Sequence, residues 1–181
     1  RARYGALLRL LGELQRDPSV GAVLLQVGDL PVGLGRADEL RQAVRRLADR
    51  KPVLASLSAM GKTKEYWLGT AATEVYAAPG SVIVVNGLSS TTLFLRDGLA
   101  RLGVAFEAVV EGRYKSAPDA LTRSGPGDAQ REVVAAVLDS QFALLVQSIA
   151  EARRLPVPRV RQLLDVGAFT AEEARQAGLL A

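Results

Sequence analysis

Lys115 is the residue whose type and setting best suit acid/base chemistry in this chain. The 181 residues include no histidine and no cysteine, so a Ser-His-Asp triad, a Cys-His dyad or a zinc–thiolate site cannot be assembled from them alone. A buried lysine is the base that remains near neutral pH, because burial disfavours its ammonium and lowers its pKa. Lys115 follows an apolar stretch almost directly and has small or aromatic neighbours. Composition alone still favours a surface lysine in a loop.

The hydroxyl groups that such a base could activate have simpler interpretations as structural groups. Ser56 and Ser58 lie at the end of a predicted strand, and a structural hydroxyl is favoured there. Thr63 has no base near it in sequence, and residues 62–65 are typical of a solvated helix start. Ser89 and Ser90 are placed to cap the helix that follows them.

A glycine-rich segment, residues 28–35, follows the first predicted strand. It lacks the GxGxxG and GxxxxGK[ST] spacings of phosphate-binding loops. A plain connection from strand to helix is the favoured interpretation. The alternative is that its backbone N–H groups bind a carbonyl or a developing oxyanion.

Apolar strands alternate with helices along the chain, which predicts an α/β fold with a mostly parallel sheet and helices on its faces. No internal repeat and no second domain is indicated, so residues 1–181 are expected to form one domain. Thr170 and Glu173 fit a capping box. Helices are predicted over residues 3–16, 36–50, 62–72, 91–102, 128–154, 156–164 and 170–177, and strands over 20–27, 52–57, 75–77, 81–85 and 104–110.

Composition and charge exclude several classes of function. Apolar residues make up 49% of the chain and charged residues 23%, which is ordinary for a soluble globular protein. The net charge is +4, but the longest basic cluster, residues 41–51, is expected to be a solvated helix face, and aromatic residues are too scattered to stack bases. We therefore expect no nucleic-acid partner. No stretch is expected to be long and apolar enough to span a membrane, and no signal peptide is visible.

Several short motifs, in order, resemble the signal peptide peptidase A (protease IV) family. The similarity runs from about Leu7 to Ala181. The motifs are YWLGTAA at residues 66–72, VYAAP at 75–79, LGVAFE at 102–107, GRYKSA at 112–117 and FTAEEA at 169–174.

The resemblance implies a crotonase/Clp-protease-like fold and a bacterial, membrane-associated serine peptidase with a Ser/Lys dyad that degrades cleaved signal peptides. In the long, two-domain form the amino-terminal domain supplies the lysine and the carboxy-terminal domain the serine. This chain is similar to the amino-terminal domain, so Lys115 would be the general base. The resemblance also implies a homo-oligomer and no cofactor. Both chain ends are expected to be cuts from a longer protein, of which this piece is soluble.

The departures from the family pattern are consistent with a domain that lacks its own nucleophile. The serine position holds Thr63, and Lys64 and Glu65 replace glycines. Gly87 takes the place of the serine that orients the lysine, and residues 30–33 match the oxyanion glycines poorly. We therefore expect the fragment alone to hydrolyse no peptide.

Two other functions remain open at this point. One is a non-catalytic crotonase-like domain used for assembly or substrate channelling. The other is an acyl-CoA enzyme on the same fold, for which the sequence shows no obvious acid/base pair.

Overall fold

Two units, each described separately, make up the chain in the computed structural model, which describes residues 2–181. Unit 1 comprises the residues up to Gly87 together with Leu145–Ala181, and unit 2 is Leu88–Leu144. The helices are α1 Ala2–Arg16, α2 Leu34–Ala48, α3 Thr63–Gly69, α4 Arg96–Arg101, α5 Asp119–Thr122, α6 Asp128–Arg153, α7 Val157–Val166 and α8 Ala171–Gln176. The strands are β1 Val23–Val27, β2 Val53–Leu57, β3 Met60–Gly61, β4 Glu74–Ala77, β5 Val82–Val84 and β6 Ala168–Thr170.

A parallel sheet of three strands, in the order β1-β2-β4, confirms the α/β prediction for unit 1. The central strand β2 buries Val53, Ala55 and Leu57 on the side against which α2 and α3 pack. The opposite face is more open, since Leu24 and Leu54, neighbours in register, are both exposed. Parallel sheets are normally covered on both faces. Within unit 1, the predicted helices cover one face of this sheet and leave the other more open.

A second sheet joins distant parts of the sequence. β3 pairs with β5 in parallel, and β5 pairs with β6 in antiparallel fashion. Strands of two or three residues carry almost no periodic signal, so β3 and β6 are absent from the sequence prediction. The predicted capping box is confirmed: the Thr170 side chain accepts from the Glu173 amide while the Glu173 carboxylate accepts from the Thr170 amide. This cap places α8 directly after β6.

Unit 2 departs most from the sequence prediction. The predicted helix 91–102 is wrong in its first half, because α4 begins at Arg96 and has no side-chain cap. Ser89 and Ser90 therefore do not cap it. No residue of α4 is buried, and a longer helix there would gain little from packing. The predicted strand 104–110 is also wrong: the segment has no strand assignment and its side chains are exposed. An apolar, β-branched run needs a neighbouring strand for its backbone hydrogen bonds.

Helix α6 corrects one expectation about membranes. By length and composition alone it is long and apolar enough to cross a bilayer, whereas the sequence analysis expected no such stretch. Its carboxy-terminal part lies in unit 1, where Leu145, Val146, Ile149 and Ala150 are buried. That part of the helix thus contributes to a protein core.

Candidate functional site

The loop that carries Lys115 in unit 2 is built from two successive turns. The Lys115 amide donates to the Gly112 carbonyl over 3.4 Å, and the Asp119 amide donates to the Ser116 carbonyl over 3.0 Å before α5 begins. Gly112 has a φ of +104°, which side-chain-bearing residues rarely adopt. Glycine at this position therefore allows the turn that projects Lys115.

The residues on the amino-terminal side of Lys115 are held by a single glutamate of α6. The Arg113 guanidinium pairs with Glu132 at 2.8 Å, and the Tyr114 hydroxyl donates to the same carboxylate over 3.1 Å. This hydrogen bond raises the pKa of Tyr114 above its ordinary value, and the Arg113 guanidinium lies 5.1 Å from the Tyr114 ring centre. The Glu132 carboxylate, the Arg113 guanidinium and the Tyr114 side chain thus contact one another directly before Lys115.

Lys115 borders a surface pocket of about 460 Å³ within unit 2, lined also by Val110, Ser116, Asp119 and Arg123. Its side chain is exposed, and the hydrogen bonds and ion pairs among residues 2–181 include none to its ammonium. The structure therefore presents this amine at a pocket, but does not bury it as a working base requires.

Thr63, at the start of α3 in unit 1, has its hydroxyl engaged by Asn86. The hydroxyl donates to the Asn86 side-chain oxygen over 2.9 Å and accepts from the Asn86 backbone amide over 3.2 Å. Asn86 was not singled out in the sequence, because its link to Thr63 spans 23 positions. Among residues 2–181, the partners of the Thr63 hydroxyl are Asn86 and the Val84 carbonyl, neither of which is a base.

The segment between β1 and α2 is held by three charged side chains near the start of α3. Lys62 pairs with Asp29 at 2.9 Å in an exposed salt bridge. The Lys64 ammonium donates to backbone carbonyls of this segment, and Glu65 accepts from its Leu30 amide over 2.8 Å. Glu65 is only 2% exposed, so the prediction of a solvated helix start is wrong for this residue. Its place inside the apolar run EYWLG is the signal that could have indicated burial.

The other hydroxyls are dispersed. Ser58 donates a long bond of 3.4 Å to the Met60 carbonyl, and Ser56 lies half-buried on β2. Ser89 and Ser90 line a pocket of about 280 Å³ in unit 2, with Val133, Val134 and Val137 of α6. Among residues 2–181, no group of three or more acidic side chains is arranged to hold a metal ion.

Comparisons with known proteins match this chain to peptidases. A sequence model described as peptidase family S49 matches residues 45–181. The chain is 25% identical over 164 residues, 91% of its length, to the chloroplastic serine protease SPPA of Arabidopsis thaliana. It is 24% identical over 166 residues to protease 4 of Salmonella typhi, and 25% identical over 178 residues to protease 4 of Haemophilus influenzae, covering 91% and 96% of this chain. It spans 24%, 26% and 28% of the lengths of these three relatives.

Proposed function

Because the chain belongs to peptidase family S49, the family of the signal peptide peptidase A proteins, we propose that it is the lysine-bearing domain of a Ser/Lys serine peptidase. In this proposal Lys115 is the general base, and the serine lies in a second domain outside these 181 residues. The fold would be the crotonase/Clp-protease-like one. The substrates would be cleaved signal peptides, and the enzyme a membrane-associated homo-oligomer.

The observation that carries the proposal is the setting of Lys115. Glu132 contacts the two residues before it, Gly112 supplies the turn, and the ammonium borders a pocket without an ion-pair partner among residues 2–181. A lysine committed to a salt bridge would be held in its charged form. Removal from water makes a lysine ammonium without an ion-pair partner lose its proton more easily, and the neutral amine can then accept the proton of a hydroxyl.

A covering partner would supply that removal from water. None of the residues 88–144 is buried, and Phe106, Val109 and Val110 leave apolar surface exposed on the segment that leads to the Lys115 loop. Exposed apolar surface of this kind marks sites of association. The partner proposed here is the domain that carries the serine.

The proposed reaction then proceeds in the order expected for a hydroxyl nucleophile that is activated by an amine base. The neutral Lys115 amine takes the proton of the serine hydroxyl as the oxygen attacks the scissile carbonyl. The resulting ammonium returns the proton to the departing amine, which leaves an acyl-enzyme for water to hydrolyse. Thr63 takes no part.

The experiment is substitution of Lys115 in the longer protein. Lys115→Ala is expected to lower kcat/KM for a peptide ester by about 10²–10⁴-fold, the range typical for loss of a general base. Lys62→Ala, an exposed lysine of unit 1, is the matched control and should retain activity. The 181-residue chain alone should cleave nothing. Retained cleavage by Lys115→Ala together with a changed subunit number would instead support an assembly domain, and cleavage by the isolated chain would reject the division of the dyad.

A further inference from the structure

Two backbone amides of the segment between β1 and α2, those of Leu30 and Val32, are already occupied. The Leu30 amide donates to Oε1 of Glu65 over 2.8 Å, and the Val32 amide turns back to the Leu30 carbonyl over 2.8 Å. Pro31, between them, has no N–H. A segment that could bind an oxyanion must offer such amides to a ligand, and here both of these are used within the chain.

The carbonyl groups of the same segment are held by the residue before Glu65. The Lys64 ammonium donates to the Leu30 carbonyl over 3.0 Å and to the Val32 carbonyl over 2.8 Å. Leu30 is therefore tied through its amide to Glu65 and through its carbonyl to Lys64. Two neighbouring side chains of α3 thus form hydrogen bonds with the amide and the carbonyl of Leu30.

The burial of Glu65 distinguishes this contact from an ordinary surface bond. The residue is 2% exposed, and Oε2 has no hydrogen-bond partner in the described part of the chain. Burying a carboxyl group with one oxygen unsatisfied is costly. Such a group is tolerated where several other contacts hold it in place. Here these contacts are the bond from the Leu30 amide and the adjacent bonds of Lys64 to the same segment.

We propose that unit 1 contains a self-occupied carboxylate site, in which Glu65 takes the place of a bound acid at the Leu30 amide and Lys64 holds the segment closed around it. The site is thereby closed to a peptide carbonyl, and Lys64 and Glu65 are positioning residues for the connection from β1 to α2. This inference is independent of the role of Lys115. It concerns amides that are more than eighty positions earlier in the sequence.

The first test is hydrogen exchange of the Leu30 amide in the full 181-residue chain. Glu65→Ala should raise the exchange rate about tenfold or more, because the amide loses its acceptor. Glu65→Gln keeps an acceptor oxygen and should stay close to the parent. Lys62→Ala removes an exposed ion pair on the same segment and serves as the matched control, with exchange within about twofold.

The second test uses acetate as the probe, because Glu65→Ala removes a CH₂–COO group, the size of an acetate ion. Acetate titrated against sodium chloride at constant ionic strength should restore protection of Leu30 in Glu65→Ala and leave the parent unchanged. If acetate fails to restore it, or if the Leu30 amide of Glu65→Ala exchanges as slowly as in the parent, the site is not a carboxylate site and the proposal is overturned.

A third variant, Lys64→Met, keeps the proposal testable if Glu65→Ala does not fold. Lys64→Met keeps the apolar stem and removes the ammonium, and it should speed exchange at Leu30 and Val32 more than Lys62→Ala does. Equal exchange in the Lys64 and Lys62 variants would also overturn the proposal. Peptidase activity is not the readout of any arm, so failure here leaves the proposal for Lys115 standing.

Discussion

The hydroxyl of Thr63 lies 2.9 Å from the side-chain oxygen of Asn86 and accepts the backbone amide of the same residue over 3.2 Å. This reciprocal pair ties the first residue of α3 to the segment just after β5. An attacking hydroxyl must give its proton to a base, and an asparagine carbonyl is not one. In this geometry the Thr63 hydroxyl therefore has no base among its partners in the described residues.

Thr63→Val should destabilise the chain without affecting peptidase activity. The substitution keeps the shape of the side chain and removes the hydroxyl, so Asn86 loses a donor and an acceptor. We expect a loss of about 0.5–1.5 kcal/mol in the free energy of unfolding, measured by urea titration, with Thr63→Ser close to the parent. A large fall in peptidase activity of the longer protein with Thr63→Val would show that the hydroxyl does chemistry after all.

Tyr66→Phe should reveal how strongly the end of the chain is held to α3. The Tyr66 ring is fully buried and its hydroxyl donates to the Leu179 carbonyl over 2.9 Å. Burial also raises the pKa of this phenol above its ordinary value. Removal of the hydroxyl leaves a buried carbonyl without a donor and is expected to cost about 1–3 kcal/mol.

Tyr76→Phe is the matched control for that measurement. Tyr76 is exposed on β4, and its hydroxyl donates to Glu74. Its loss should change the free energy of unfolding by no more than about 0.5 kcal/mol. Equal effects of the two substitutions would contradict the importance of the Leu179 contact.

The capping box of α8 should make stability depend on pH in the acid range. The Thr170 amide and then the Thr170 hydroxyl, both donating to Glu173, hold the pKa of this carboxyl below its ordinary value of 4.5. A carboxyl whose folded pKa is depressed stabilises the fold above its unfolded pKa, and this stabilisation is lost as the pH falls through the folded value. Glu173→Ala should therefore lower the melting temperature near neutral pH, and the difference from the parent should shrink as the pH falls below 4.5.

Thr170→Ser keeps the capping hydroxyl and should follow the pH profile of the parent in the same thermal melts. A Glu173→Ala difference that stays constant down to strongly acid pH would mean that the carboxylate charge contributes nothing to the cap.

Residues 104–110 should exchange their amide hydrogens much faster than β2 in the isolated chain. The segment lacks strand pairing and none of unit 2 is buried, whereas β2 is paired on both sides. Regions with few buried contacts open at low free-energy cost. If a serine-bearing domain covers this segment, as we propose, exchange mass spectrometry of the proposed longer protein should show protection there. Equal protection of both segments in the isolated chain would be inconsistent with the exposed surface.

Local patterns determined much of the fold in advance. The long helix α6, the helix α2 and the cap of α8 were predictable because helical periodicity and capping chemistry act over a few residues. The alternation of strands and helices likewise predicted the parallel sheet. For the same reason the sequence singled out Lys115, since the absence of histidine and cysteine leaves few bases.

Tertiary contacts decided what local patterns leave open. Residues 104–110 have the composition of a strand, but a strand exists only where another backbone supplies its hydrogen bonds. Glu65, in a segment that resembles a polar helix start, is buried and accepts from the amide of Leu30, 35 positions away. The role of Thr63 depends on Asn86, 23 positions away. Such pairings arise from the path of the whole chain, because burial and hydrogen bonding depend on neighbours in space rather than in sequence.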